Sequence, residues 1–267
     1  MESAEPTATV VIMRILVTND DGVESPGIRA LAAALVADDH DVLVVAPTDD
    51  RSGAGASIGR LYGTGPPPVE RRIWDEFPDL SVHAIDAPPA TAVFAACLGA
   101  FGELPDLIAS GINPGANTGH LVLHSGTVGA TLTAAGYGIP GIAVSMEWSQ
   151  EHEYHWETAA RVAAAAVDWV AKPNGDPRVL NINVPNVPVG ELLGIREAEL
   201  APSGEVWVAS ADVSGGDLKI EITGRADAAP GTDVAIVRDG YVSVTPLMSI
   251  VRAPTTGAAD AIVAALG

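Results

Sequence analysis

The sequence predicts an α/β protein: a doubly wound, mostly parallel sheet between two layers of helices (three layers, α/β/α), followed by a β-rich extension. Two observations predict the core. Short apolar, β-branched runs alternate with helix-patterned runs from residue 13 to residue 185, the pattern of a parallel sheet crossed by helices. Polar, glycine-rich segments follow three of those apolar runs, at the strand ends where open α/β sheets bind ligands. A third observation marks the extension. After Pro185 the pieces become short, β-rich and separated by Gly, Pro and Asp turns.

Taken in order, Met13–Thr18 reads as a buried strand. Pro26–Ala37 has helical periodicity, with Ser25 as N-cap and Pro26 at the first helical position. Asp41–Pro47 is a second buried strand, which closes a right-handed β-α-β unit. Residues 53–80, with Gly63, Gly65 and Pro66-Pro67-Pro68, read as an irregular excursion over the active edge. Leu107–Ser110 is a strand that runs into a glycine-rich loop, and "GTVGATLTAAGYG" is a helix leading to strand Gly141–Ser145. Helix "YHWETAARVAAAAVDWVA" precedes strand "RVLNINVP". The pieces "LGIREAEL", "EVWVAS", "LKIEITG" and "YVSVTPL" predict hairpins outside the main sheet, and "GAADAIVAAL" a final helix. The organisation expected is a loose leader over 1–12, a catalytic core over 13–185, and an extension over 186–267 that belongs to the same domain.

Composition narrows the function. With 14 basic against 34 acidic residues the net charge is −20, which argues against binding nucleic-acid duplexes or anionic membranes. A small anionic substrate needs a bound cation to invert the local field. No apolar run reaches the roughly 18 residues a membrane span requires, and residues 1–12 hold two acidic residues and no basic one; a cytoplasmic protein is expected. The single Cys97 sits in the apolar run "AVFAACLGA" and reads as a buried, inert thiol.

The chemistry collects at the three strand ends: Asn19-Asp20-Asp21-Gly22, "DDRSGAGAS" (49–57) and "SGINPGANTG" (110–119). Adjacent carboxylates repel unless a cation joins them. Hard oxygen donors from Asp20, Asp21, Ser52 and Asn113 suit one Mg²⁺ or Mn²⁺, or Ca²⁺, rather than Zn²⁺. The competing reading is an Asx-rich turn whose carboxylate caps the next helix; three coincident polar loops favour the cation. "SGINPGANTG" is an anion-cradling type of loop without the Gly-Lys-Ser/Thr of a P-loop or a GxGxxG. Ser125, Gly126 and Thr127 stand at a helix start, where free N–H groups hold anions or where a serine simply caps. His152 and His155 read as a solvated helix start, His40 and His83 as surface residues, and His120 or His124, near the three loops, as a candidate proton donor. No Gly-x-Ser-x-Gly elbow is present.

The segments "RILVTNDDGVESPGI", "VVAP" with "RSG", "SGINPGAN", "SGTVGA", "LNINVP" and "GYVSVTPL" resemble, in order from Arg14 to Leu247, the SurE survival proteins, metal-dependent 5′/3′-nucleotidases. The resemblance implies a Rossmann-like fold whose C-terminal β extension exchanges between subunits of a homodimer or homotetramer. It implies hydrolysis of nucleoside monophosphates. It places metal ligands at Asp20, Asp21, Ser52 and Asn113, and supporting positions at Asn19, Asn117, Ser125, Gly126 and Thr127. Four positions depart from the family pattern. "TGHLVLH" lacks the usual Asp, His124 replaces a Tyr, Thr133 an acidic residue, and Thr91 an Asp. A specialised phosphatase for another phosphorylated intermediate, or a silent binding homologue, is therefore the alternative. In the mechanism expected, amides around Gly115 and at Ser125–Thr127 stabilise the phosphate oxygens, Asn19 and Asn117 position it, and Asp20 or a metal hydroxide activates water.

Overall fold

The computed structural model describes residues 11–59, 65–172, 179–203, 206–225, 227–251 and 262–264. Arg14–Thr18 (β1), Pro26–Ala37 (α1) and Asp41–Pro47 (β2) open the chain. An antiparallel pair follows, Val69–Trp74 (β3) and Phe77–Ile85 (β4), then Pro89–Cys97 (α2). Leu107–Pro114 (β5), Gly126–Ala135 (α3), Gly141–Met146 (β6), Trp156–Ala171 (α4) and Val179–Val184 (β7) complete the alternating part. The remainder holds Ile195–Glu197 (β8), the hairpin Val206–Ser214 (β9) and Asp217–Arg225 (β10), Asp233–Arg238 (α5) and Val242–Leu247 (β11).

One nine-stranded sheet, ordered β3-β4-β2-β1-β5-β6-β7-β11-β8, runs through the molecule. Strands β4, β2, β1, β5, β6 and β7 are mutually parallel. Such strands are covered on both faces, which is why they read as continuous apolar runs. On one face Ile15, Val17, Leu107, Ile142 and Ile182 pack with Ile28, Leu31 and Val167 from α1 and α4. On the other, Leu16, Leu43, Val45 and Ile108 pack with Val93 of α2 and Ala130 of α3. The chain leaves β1 toward β2 on one side and returns to add β5 on the other. The crevice between β1 and β5 is therefore the topological switch point, and the loops after both strands open into it.

Two expectations need correction, and one helix was not foreseen. The later part of the 53–80 excursion is not irregular: Val69–Trp74 and Phe77–Ile85 form a hairpin at the edge of the main sheet. Its charged residues Glu70, Arg71 and Arg72 suit an exposed edge and hide the apolar signature of a strand. Helix α2, at nine residues, is buried around most of its circumference, so no polar face marks it in the sequence. "YVSVTPL" and "LGIREAEL" also lie inside the main sheet: β11 pairs antiparallel with β7 and parallel with β8. Alternating polar residues ordinarily mark a strand with one face in water, yet Ser243 and Thr245 of β11 are buried. Only β9 and β10 form the separate hairpin expected. The expected final helix falls mostly outside the described residues, of which 262–264 are helical. Among the described residues no helix is long and apolar enough to cross a membrane.

Helix α1 is seated on β5 by an absent side chain: a Cβ at Gly27 would lie 2.1 Å from the Ile112 carbonyl oxygen. Gly27→Ala should therefore destabilise the fold by about 2 kcal/mol through overpacking, read as a lowered urea midpoint at unchanged slope. An unchanged midpoint would mean that α1 can lift off the strand.

Candidate active site at the switch point

The run after β1 turns inward. Asn19 and Asp20 are almost fully buried, an unusual fate for a carboxylate. Asp20 is matched by donors from α3, 107 residues away: the Thr127 hydroxyl donates to its Oδ1 at 2.6 Å and the Gly126 N–H to its Oδ2 at 3.1 Å. A Cβ at Gly126 would fall 2.6 Å from that Oδ2, so only glycine lets the helix start come this close. Burial still pushes the Asp20 pKa up, with the Thr127 and Gly126 hydrogen bonds opposing it.

Asp21 has no such match. Its Oδ2 is buried without a hydrogen-bond partner. Burial first, then the neighbouring charges of Asp20 and Asp50, push its pKa up to about 7. A buried, repelled and unsatisfied carboxylate oxygen is what a cation would satisfy. The other two expected ligands each keep an oxygen as acceptor. The Ser52 hydroxyl donates its proton to Asp50 Oδ1 at 2.6 Å, which leaves its oxygen lone pairs available. Asn113 spends Nδ2 on the Gly115 carbonyl at 2.6 Å, which leaves Oδ1 as its acceptor end. Among the described residues no group of three or more His, Cys, Asp or Glu converges on a point. The expected donors, two carboxylates and two neutral oxygens, are of the chemistry that suits a hard divalent cation.

Several expected anion donors are already committed. Both amide hydrogens of Asn19 are used inside the turn, one on the Gly22 carbonyl at 3.0 Å and one on Ser25 Oγ at 2.7 Å. Asn19 therefore shapes the turn rather than donating to phosphate. Ser25, at the N-cap of α1, makes no side-chain capping bond, because its hydroxyl serves Asn19. The Gly115 N–H goes to the Met146 carbonyl at 2.8 Å, and the Gly126 N–H to Asp20. Ser125 is an ordinary N-cap whose Oγ accepts from the Val128 N–H at 3.1 Å, so its own proton remains for an anion. Asn117 gives one Nδ2 hydrogen to Ser145 Oγ at 2.9 Å and keeps the second.

Sequence reasoning missed Asp50 and Ser145. Asp50 holds both the Ser52 hydroxyl and its N–H; the Asp-x-Ser spacing in "DDRSG" was the available signal. Ser145 had none, since it lies in an apolar strand and acts only through Asn117. Of the altered positions, the Thr133 hydroxyl donates to the Gly129 carbonyl at 2.7 Å within α3. Thr91 is buried with its hydroxyl unpartnered, and His124 and His120 are exposed.

Fold and site together define a Rossmann-like α/β protein with an acidic oxygen-donor site at the carboxyl edge of its sheet. Comparison gives this class a family. The model of the survival protein SurE family matches residues 15–204, and the chain belongs to that family. The 5′-nucleotidase SurE of Xanthomonas campestris is 40% identical over 244 residues, covering 88% of this chain and 89% of that one. Its counterpart in Stenotrophomonas maltophilia is 39% identical over 243 residues with the same coverage. The crystal structure of the SurE protein from Aquifex aeolicus matches with a TM-score of 0.73 at 33% identity, over 90% of this chain and 94% of that one.

The raised Asp21 pKa has a sign. A carboxyl that holds its proton more tightly when folded than its ordinary 3.8 costs the metal-free protein stability as pH rises from 3.8 toward about 7, and the cost is complete above that. Asp21→Asn should therefore raise the metal-free melting temperature at about pH 8 by about 3–6 °C, a gain that shrinks toward about pH 5. The same variant should lose the stabilisation that added Mn²⁺ gives the wild type. A lower melting temperature at the higher pH would contradict the placement of Asp21.

Proposed function

We propose that this protein is a divalent-cation-dependent phosphomonoesterase that hydrolyses nucleoside monophosphates to nucleoside and phosphate. The observation that carries the reading is the unsatisfied, repelled Asp21 beside the fully donated Asp20, in a chain about 40% identical to proteins named 5′-nucleotidase SurE. Asp20, Asp21, Ser52 and Asn113 hold one Mg²⁺ or Mn²⁺ per subunit. When bound, the cation supplies Lewis-acid polarisation of a phosphoryl oxygen and a more acidic water.

The chain's own residues do the rest. Thr127 and Gly126 fix the Asp20 carboxylate, so it meets the reacting groups without reorganisation. The Ser125 hydroxyl and the second Nδ2 hydrogen of Asn117 donate to the oxygens of the phosphoryl group, where negative charge grows as the ester bond breaks. Asp20, the carboxylate held in the crevice, accepts the proton of the attacking water. Asp50 keeps the Ser52 oxygen turned with its lone pairs outward. The departures at Thr91, His124 and Thr133 leave the four cation ligands intact, which favours turnover over a silent binding module. The subunits form a homodimer or homotetramer in which the β9–β10 arm reaches a partner, and the protein works in the cytoplasm.

The reading is tested by phosphate release from AMP and from p-nitrophenyl phosphate. Wild-type protein with Mn²⁺ should turn over both, EDTA should abolish release, and re-addition of the metal should restore it. Asp20→Asn should lower kcat by about 10³-fold or more with the far-UV circular dichroism unchanged. Near-normal turnover in that variant would overturn the role given to Asp20.

A further inference from the structure

The loop between β5 and α3 carries Asn117, yet at that residue it belongs to no strand. Its main chain is nevertheless bonded on both sides, by side chains. The Asn117 N–H donates to Asn183 Oδ1 at 2.7 Å. The Asn117 carbonyl accepts from Asn181 Nδ2 at 2.8 Å and from Asn183 Nδ2 at 3.1 Å. The two asparagines lie two residues apart on β7, so they project from the same face. Both are fully buried, as is Ser145. In the register of the sheet Asn113 lies beside Ser145, and Ser145 beside Asn183. One polar row therefore runs from a proposed cation ligand to the residues that grip Asn117.

Packing does not account for this row. The next position on the same face of the strand, Val179, is buried and apolar, and amides in a sheet interior are costly unless bonded. Asn181 keeps that cost in part, since its Oδ1 has no partner. A fold selected for stability alone would place aliphatic side chains here. What the amides add is a fixed main-chain position for Asn117. Two residues further, the loop is caught again. The Gly119 N–H donates to Asp233 Oδ2 at 2.7 Å, and Asp233 Oδ1 takes the Ala201 N–H at 3.0 Å. Gly119 adopts φ +55°, and a Cβ there would meet the Ser203 and Ala201 carbonyl oxygens at 2.6 and 2.7 Å.

We infer that Asn181 and Asn183 are positioning residues, which with Asp233 and Ser145 hold the Asn117 amide at the phosphate-binding site. The inference rests on the reading of Asn117 as a phosphate donor. They touch no substrate and act through Asn117.

The test uses full-length Asn183→Leu, close in size but without hydrogen bonds, and Ser145→Ala, which removes only the side-chain partner of Asn117. Each is made alone and with Asn117→Ala. Amide exchange followed by mass spectrometry should show the 115–119 segment of Asn183→Leu exchanging at least about 10-fold faster, with β6 and β7 unchanged. With Mn²⁺ and AMP, each single variant should lower kcat by about 10-fold or more, and neither should lower it further once Asn117 is alanine. Unchanged exchange at 115–119, or kcat losses that multiply in the double variants, would overturn the inference. If Asn183→Leu fails to fold, Asn181→Ala, which removes the 2.8 Å bond to the Asn117 carbonyl, decides by the same exchange comparison and the same cycle with Asn117→Ala. Absence of any phosphate release by the wild type would bring down the nucleotidase reading instead, and the exchange comparison would still decide whether the asparagines hold the loop.

Discussion

The mutual repulsion of Asp20 and Asp21 organises the active edge of this protein. Two adjacent carboxylates at the buried end of a central strand form an arrangement that a protein avoids without a reason. The chain answers it asymmetrically. Asp20 is met by donors from a helix start, which hold its carboxylate in place. Asp21 is left with a bare oxygen and with Asp50 as an added neighbour. That imbalance concentrates negative charge at one point of an already acidic molecule, which in turn makes a cation there favourable and a second anion acceptable.

The topology makes the arrangement possible. Because the winding order reverses between the parallel neighbours β1 and β5, the connections after these two strands leave toward opposite faces, and polar loops fit into the crevice between them. Close main-chain approaches then draw the pieces together: Gly27 onto Ile112, and Gly126 onto Asp20. Each depends on a missing side chain, so the site is a product of packing as much as of its ligands.

The parts of this design that could be read from sequence are those carried by residue type. The three polar loops, the paired aspartates and the parallel core follow from runs of residues that have few other uses. Hydrogen-bond direction was not legible. Asn19, Gly115 and Gly126 looked like phosphate donors, and each gives its proton to a group inside the protein. For Gly126 that group lies 106 residues away, beyond the reach of any local pattern. The edge hairpin of β3 and β4 was hidden by its charges, and β11 by polar residues that face the row extending from Asn181 and Asn183. There a period-two alternation, ordinarily a sign of solvent on one face, marks a buried polar layer instead.

Asp233 gives the later part of the chain a bearing on the crevice. A single buried carboxylate accepts from both the Gly119 and the Ala201 N–H, from a position 114 residues beyond Gly119. Displacing the stretch that carries it would bare two main-chain donors at once, so the far end of the Asn117 loop and the chain around Ala201 are fastened by one clasp.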